Sequence, residues 1–268
     1  MKLILSRKGF DSSAGRMPSP ILPDGTLLSL PIPTDADPEF TYGDLQYGQS
    51  SYHEIISQLK RTFKDGYCHL DPDLRPEAVA RPAGWRPAFG QSGAALSHLN
   101  KYGVGSGDVF LFFGWFRQTE FDPSGKLRYV KGGPDQHIIF GYLQVGEIIE
   151  PHKDPIPAWL GTHPHSAERR KDNPRNRIYA AAERLSLGGD LPGAGTLSCR
   201  ADRVLTWPGK KRRYWNLPEI FRHAEISYHK PEAWQADGSF MSVARGQEFV
   251  VEASGDIRDW ILKIVSEP

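Results

Sequence analysis

The chain has 268 residues, 39% of them hydrophobic and 24% charged, with a formal net charge of +1. This length can bury a substantial core, and the composition excludes an intrinsically disordered chain while the near-zero charge names no partner. No run is long and apolar enough to cross a membrane, and Met1–Ser6 is too soon interrupted by Arg7, Lys8 and Asp11 to read as a secretory signal, so a cytoplasmic protein is expected.

Twenty-two prolines and twenty-seven glycines punctuate many short segments, which favours strands with a few helices. MKLIL at the start reads as a strand, and the loop after it, SRKGFDSSAG, sets Arg7, Lys8, Asp11, Ser12 and Ser13 at the rim of a cleft if that strand is interior. Its glycines and lysine have the wrong order for a phosphate loop of nucleotide hydrolases. In the proline-rich stretch that follows, Pro-Asp-Gly at 23–25 predicts a hairpin turn. The first helix is expected over 51–62, from a Ser51/Glu54 capping box and an apolar face of Tyr52, Ile55, Ile56 and Leu59. A second is expected over 92–102, capped by Ser92 and stopped by Gly103.

DVFLFFGWFR at 108–117 is apolar at both alternating sets of positions, which in a strand means cover on both faces. HIIFGYLQVGEII at 137–149 is its expected antiparallel partner, and the connector at 118–136 is long for a tight hairpin. Further strands are expected at 177–185, 202–207 and 247–252. DIRDWILKIV closes the chain as a helix with Ile257, Trp260, Ile261 and Ile264 on one face. The reading is one α+β domain over 1–268, built on a central bent antiparallel sheet or β-barrel with flanking helices.

Several constellations carry chemistry. HLDPDL places His69, Asp71 and Asp73 at alternate positions, so an extended segment points all three the same way. His-x-Asp with a distant histidine such as His229 matches the two-imidazole, one-carboxylate facial triad that leaves metal positions open. The alternative is a polar turn shaped by Pro72. In PDQHIIFG, Asp135 and His137 are two residues apart at a strand start, an arrangement that suits a carboxylate-oriented general base or an outer metal partner.

THPH at 162–165 offers His163 and His165 as a metal pair, but the basic run that follows, with Arg169, Arg170, Lys171, Arg175 and Arg177, suits a phosphate-contacting loop at least as well. GKKRRYW at 209–215, with Lys210 and Lys211, adds aromatics that can stack on bases. The alternative for each run is a solvated surface loop. In SVARGQEFV, Arg245 and Gln247 are residue types that read base edges, and Glu248 can accept from an exocyclic amine or act as a base; Arg245 and Glu248 pairing across a turn is the structural alternative.

Other chemistries are disfavoured. There is no Walker loop or dinucleotide fingerprint, so neither ATP nor NAD is expected. HxE with PCxxC is absent, which removes zinc-dependent base deamination. Cys68 and Cys199 have no zinc-ribbon spacing and read as plain thiols.

The order GVGSGDVFLFFGWFR…HIIFGYLQVGEIIE resembles the central strand pair of PUA-like barrels, the superfamily with the EVE, ASCH and YTH domains, over about 104–150. Gly107, Asp108, Phe112, Gly141, Val145 and Glu147 carry that likeness. The chain as a whole resembles the third family of nucleotide-modification-associated domains, bacterial and phage proteins linked to DNA-base modification. LILSRKGFDSSAG, PSPILPDG, HLDPDL, GWRPAFGQSGAALSHL, GDVFLFFGWFR, DQHIIFGYLQVGE and SVARGQEFV carry this resemblance.

The resemblance implies a nucleic-acid or nucleotide partner. In EVE- and YTH-like readers, aromatics such as those here wall a pocket for a flipped base, which singles out Trp115 and Arg117. Two functions follow. The first is a nucleobase- or nucleotide-modifying enzyme using Asp11, Asp135, His137 and Glu248, with His69, Asp71 and His229 as ligands of a divalent metal such as iron, zinc or manganese. Arg7, Lys8, Arg169 and Arg170 would then face the phosphates. The second is a non-catalytic PUA-like reader of a modified base.

Overall fold

A computed structural model describes residues 1–35, 40–244 and 246–266. Arg245 lies outside the described residues. The main sheet contains β1 (Lys2–Arg7), β2 (Ser19–Ile21), β3 (Ala88–Ser92), β4 (Val109–Phe121), β5 (Leu127–Tyr129), β6 (Gln136–Ile149), β7 (Asn176–Ala181), β8 (Ala194–Thr196) and β9 (Glu248–Glu252). Its path runs β9, β1, β4, β6, β7, β3, with β2 and β5 added to β4 and β8 to β6. Four helices pack around it among the described residues: α1 (Tyr52–Leu59), α2 (Gly93–Lys101), the single turn α3 (Glu168–Lys171) and α4 (Gly255–Val265).

The α+β class holds, but the sheet is mixed and no closed barrel is found. β1 and β2 both run parallel to β4, because a long crossover containing α1 and α2 separates β1 from β4. The remaining neighbours on the path are antiparallel, including the expected pairing of β4 with β6, in which Phe116 faces Gln136 and Val109 faces Gln144. Much of the long connector proves to be a hairpin: β4 continues to Phe121 and turns at Asp122–Lys126 into β5. The expected strand over 202–207 is instead a 3-10 turn at Ala201–Arg203, with isolated bridges at Val204 and Thr206.

Alternation in β1 and β4 explains their unbroken apolarity. Leu3, Leu5, Val109, Leu111 and Phe113 meet α4 through Ile257, Ile261 and Ile264 on one face. Ile4, Phe110, Phe112 and Phe116 pack on the other with Phe89, Leu96 and Leu99. Both faces are therefore core, as a doubly covered sheet requires. α1 begins at Ser51, whose side chain accepts from the Glu54 N–H while Glu54 accepts from the Ser51 N–H, completing the capping box.

The two ends of the sheet path approach one another without pairing their backbones. Glu248 of β9, 1% exposed, accepts from Gln91 Nε2 of β3 at 2.6 Å and from Lys8 Nζ at 2.8 Å. Lys8 lies 4.3 Å above the Phe89 ring and is itself 9% exposed. Removing one partner of such a buried pair strands the other charge away from water. Glu248→Ala should therefore cost about 3–5 kcal/mol of stability, read by urea denaturation. A loss below about 1 kcal/mol would show that the sheet ends are not coupled through this contact.

Candidate metal centre and its groove

The residues of HLDPDL separate where the extended segment ends. The short Tyr67–His69 strand, paired with Ile32–Pro33 and Phe40–Thr41, stops at His69. Asp73 then bridges to Ala88 at the start of β3, and its carboxylate receives both Arg81 guanidinium nitrogens at 2.6 Å. Asp73 thus leaves the row, while His69 and Asp71 stay together.

Asp71 is 5% exposed, and each of its oxygens has a separate environment. Oδ1 accepts the Gly90 N–H at 2.7 Å and faces His163 Nε2 at 3.5 Å. Oδ2 faces His69 Nε2 at 3.8 Å and His165 Nε2 at 3.9 Å. Burial alone would raise this acid, but the His163 contact and the three surrounding imidazoles outweigh it and hold Asp71 well below the usual carboxylate range.

His69, Asp71 and His165 offer one ligand atom each, all within 4.8 Å of one another. Ligands around an ion with bonds of about 2.1 Å stand about 3.0–3.4 Å apart, so the two Asp71–histidine separations of 3.8 and 3.9 Å would each shorten by roughly half an ångström on binding a metal, and the widest separation by more.

His165 is held for that role from behind. It sits on the 3-10 turn Pro164–Ser166, and its Nδ1–H donates to Asn176 Oδ1 at 2.6 Å. The Asn176 amide nitrogen donates to the His165 and Arg170 carbonyls, which fixes the amide's orientation. The proton on Nδ1 leaves the Nε2 lone pair facing Asp71 and His69. Burial pushes the His165 imidazole down to about 3, keeping it neutral as a ligand must be. Gly90 makes room, since a Cβ there would lie 2.2 Å from the His165 ring. His163 accepts the His165 backbone N–H on Nδ1, so its Nε2 carries a proton turned toward Asp71.

His229 is elsewhere. Its Nδ1 is 2.9 Å from the Ser227 carbonyl and its Nε2 accepts the Val243 N–H at 3.1 Å, so both ring nitrogens are engaged. His229 is thus not brought to His69 and Asp71; the histidine that stands with them is His165 of THPH.

The proposed Asp135–His137 pair also does not form. Asp135 binds Arg117 at 2.7 Å, with Arg117 lying over Tyr129. His137 instead accepts the Trp215 indole N–H on Nδ1 at 3.0 Å, which puts its own proton on Nε2. Burial, with the nearby Arg7 and Arg212 charges, holds His137 far below its ordinary value, so it is a neutral donor rather than an oriented base.

Three cavities lie side by side and share wall residues, forming the lining of one groove. The first, about 530 Å³, contains His69, Asp71 and His165 and is rimmed by Arg7, Lys8 and Arg170. The second, about 560 Å³, shares Arg7, Lys8, Asp11 and Ser13 with the first and adds Trp115 and His137. The third, about 1000 Å³, shares Trp115, Lys211 and Arg212 with the second and includes Trp207 and Lys210.

Asp11 shapes the rim: its Oδ1 accepts from the Ser13 N–H, the Ser13 hydroxyl and the Ala14 N–H, each at 2.7 Å. Burial would raise this carboxyl, but those bonds and Arg7 hold it below its ordinary value. Arg7 is committed to the Ala244 and Val243 carbonyls, and Gln247 lines the first cavity. Glu248 lies beneath, locked to Lys8 and Gln91. Arg169 is exposed and lines none of the three cavities. No helix among the described residues is long and apolar enough to cross a membrane.

The profile of the family Nucleotide modification associated domain 3 matches residues 2–252, and the chain belongs to that family. No curated protein and no solved structure matches the chain.

Asn176→Ala would release the His165 ring from its backing. Metal affinity should fall about 10–100-fold by titration calorimetry, as for other partners that orient a ligating imidazole. Unchanged affinity would show that His165 is not a ligand.

Proposed function

We propose that the protein is a divalent-metal-dependent enzyme acting on a nucleotide or nucleobase, with His69, Asp71 and His165 as the ligands of the ion. The observation that carries this reading is the convergence of two imidazole nitrogens and one carboxylate oxygen at the floor of a cationic cleft. Iron, zinc and manganese all accept such a set, which leaves positions open for water or oxygen and for substrate. An ion there would act as a Lewis acid or as the centre at which the attacking species is prepared.

The chain's own residues complete the arrangement. Asn176 and Gly90 orient the ligands, and His163 supports the carboxylate from behind. Arg170 gives the rim a charge that favours a phosphate, and Asp11, whose loop bonds all go to Oδ1, offers its other oxygen to a base amine or sugar hydroxyl. In the adjoining cavity His137 offers an N–H donor. Membership of a nucleotide-modification family supports this substrate class.

Elemental analysis of the purified protein tests the reading. About one iron, zinc or manganese per chain is expected, lost in His69→Ala and His165→Ala and kept in His229→Ala. A metal-free protein that cannot be loaded with any of the three would end the enzyme reading in this form and leave the non-catalytic reader.

A further inference from the structure

We infer that the groove takes a single polynucleotide strand rather than a free nucleotide, with the target nucleotide over His69, Asp71 and His165 and its neighbours running past Trp115 toward Lys210. This rests on the metal-centre reading only for which end of the groove holds the target.

Size is the first argument. Each of the three connected cavities falls in the range of about 300–1,000 Å³ that accommodates one small ligand. Neighbouring cavities share walls, Arg7 and Lys8 between the first and second and Trp115 and Arg212 between the second and third, so together they line a span longer than one nucleotide fills.

The second argument is the residue chemistry along the path. Beyond the first cavity the walls combine indoles with cations. The Arg212 guanidinium lies 3.9 Å over the Trp115 ring, and Lys210 lies 5.6 Å from the centre of Trp207. Alternating aromatic faces and cations suit a strand whose bases stack while its phosphates are neutralised, without sequence readout.

Electrostatics along the path agrees. Of the carboxylates that line it, Asp135 is paired with Arg117, and Asp11 accepts from its own loop through Oδ1. Lys211 is exposed and has no ion-pair partner among the described residues, and the Arg212 hydrogen bond goes to the Ser12 hydroxyl rather than to a carboxylate. Lys210 is paired with Asp237 and Arg212 feels the Asp135 and Asp11 charges, so the exposed Lys211 is the cation of this path most open to a phosphate. Trp115 Nε1 is buried without a hydrogen-bond partner, a donor facing no acceptor in the chain.

Equilibrium binding decides the matter without turnover. Fluorescence anisotropy should rank an eight-residue deoxythymidine strand at least about tenfold tighter than thymidine monophosphate. Log affinity against log salt should slope near −2 for three engaged cations, at about −0.7 each. Lys211→Ala combined with Arg212→Ala should flatten that slope by about 1.4 and remove most of the advantage of length. Lys211→Ala alone alters an exposed side chain and remains informative if the double variant folds poorly.

Equal affinity for the strand and the monophosphate would overturn the inference. So would equally tight binding of the strand when annealed into a duplex. Metal content of the same preparations, and strand binding by His69→Ala, report on the centre separately: length-dependent binding without metal keeps the groove and ends the metal reading, whereas metal without length dependence does the reverse.

Discussion

A carboxylate taken almost wholly out of water is costly unless hydrogen bonds and positive charge replace its solvation. Asp71 is such a group. The Gly90 N–H satisfies one oxygen, and His69 and His165 face the other, with His163 approaching from behind. The groups around Asp71 come from three parts of the chain: a short strand end with His69, the middle of β3 with Gly90, and the 3-10 turn of His163 and His165 backed by the first residue of β7. The β7–β3 pairing sets Asn176 opposite Ser92 and Ile178 opposite Gly90, which brings these parts together. The centre therefore forms only when that end of the sheet has formed, and a metal ion would supply positive charge to the Asp71 oxygen that the His165 lone pair faces.

The rest of the cleft obeys a related constraint. Lys8 and Glu248 are both largely excluded from water, and they offset one another with Gln91 as a third partner. This contact ties the loop after β1 to both ends of the sheet path and so fixes the rim over the centre. Arg7 is spent on backbone carbonyls of the segment before β9 and closes the same rim. Farther along, Lys211 is exposed with no ion-pair partner among the described residues, and Arg212 bonds to the Ser12 hydroxyl. Structure-forming charge thus sits near the centre, and charge open to a partner sits along the groove.

Much of this was legible in the residues. Periodicity and caps located α1, α2 and α4 and the β4–β6 pair because each buries a regular apolar pattern. His69-x-Asp71 was legible as a spacing, and the two stay together in the fold although Leu70 between them forms a tight turn, with the Asp71 N–H donating to the His69 carbonyl at 2.8 Å. The third ligand was not legible, since ligands distant in sequence meet only through topology: His229 and His165 have the same composition signal. The difference lies in the Asn176 amide that sets the His165 tautomer and in the space left by Gly90, neither of which has a local motif. The spacing of Asp135 and His137 suggests a pair that does not form, because Arg117 and Trp215, placed by strand pairing and a distant loop, are the partners each finds. The mixed sheet was likewise hidden, because a parallel neighbour reached through about 100 residues leaves no trace in either strand.

The most direct test is a crystal of the protein grown with manganese and measured for anomalous scattering. The account predicts one strong peak between His69 Nε2, His165 Nε2 and the Asp71 carboxylate, with bonds of about 2.0–2.2 Å and at least one side open to the groove. A peak at another cluster, or none in this pocket under saturating metal, would contradict it.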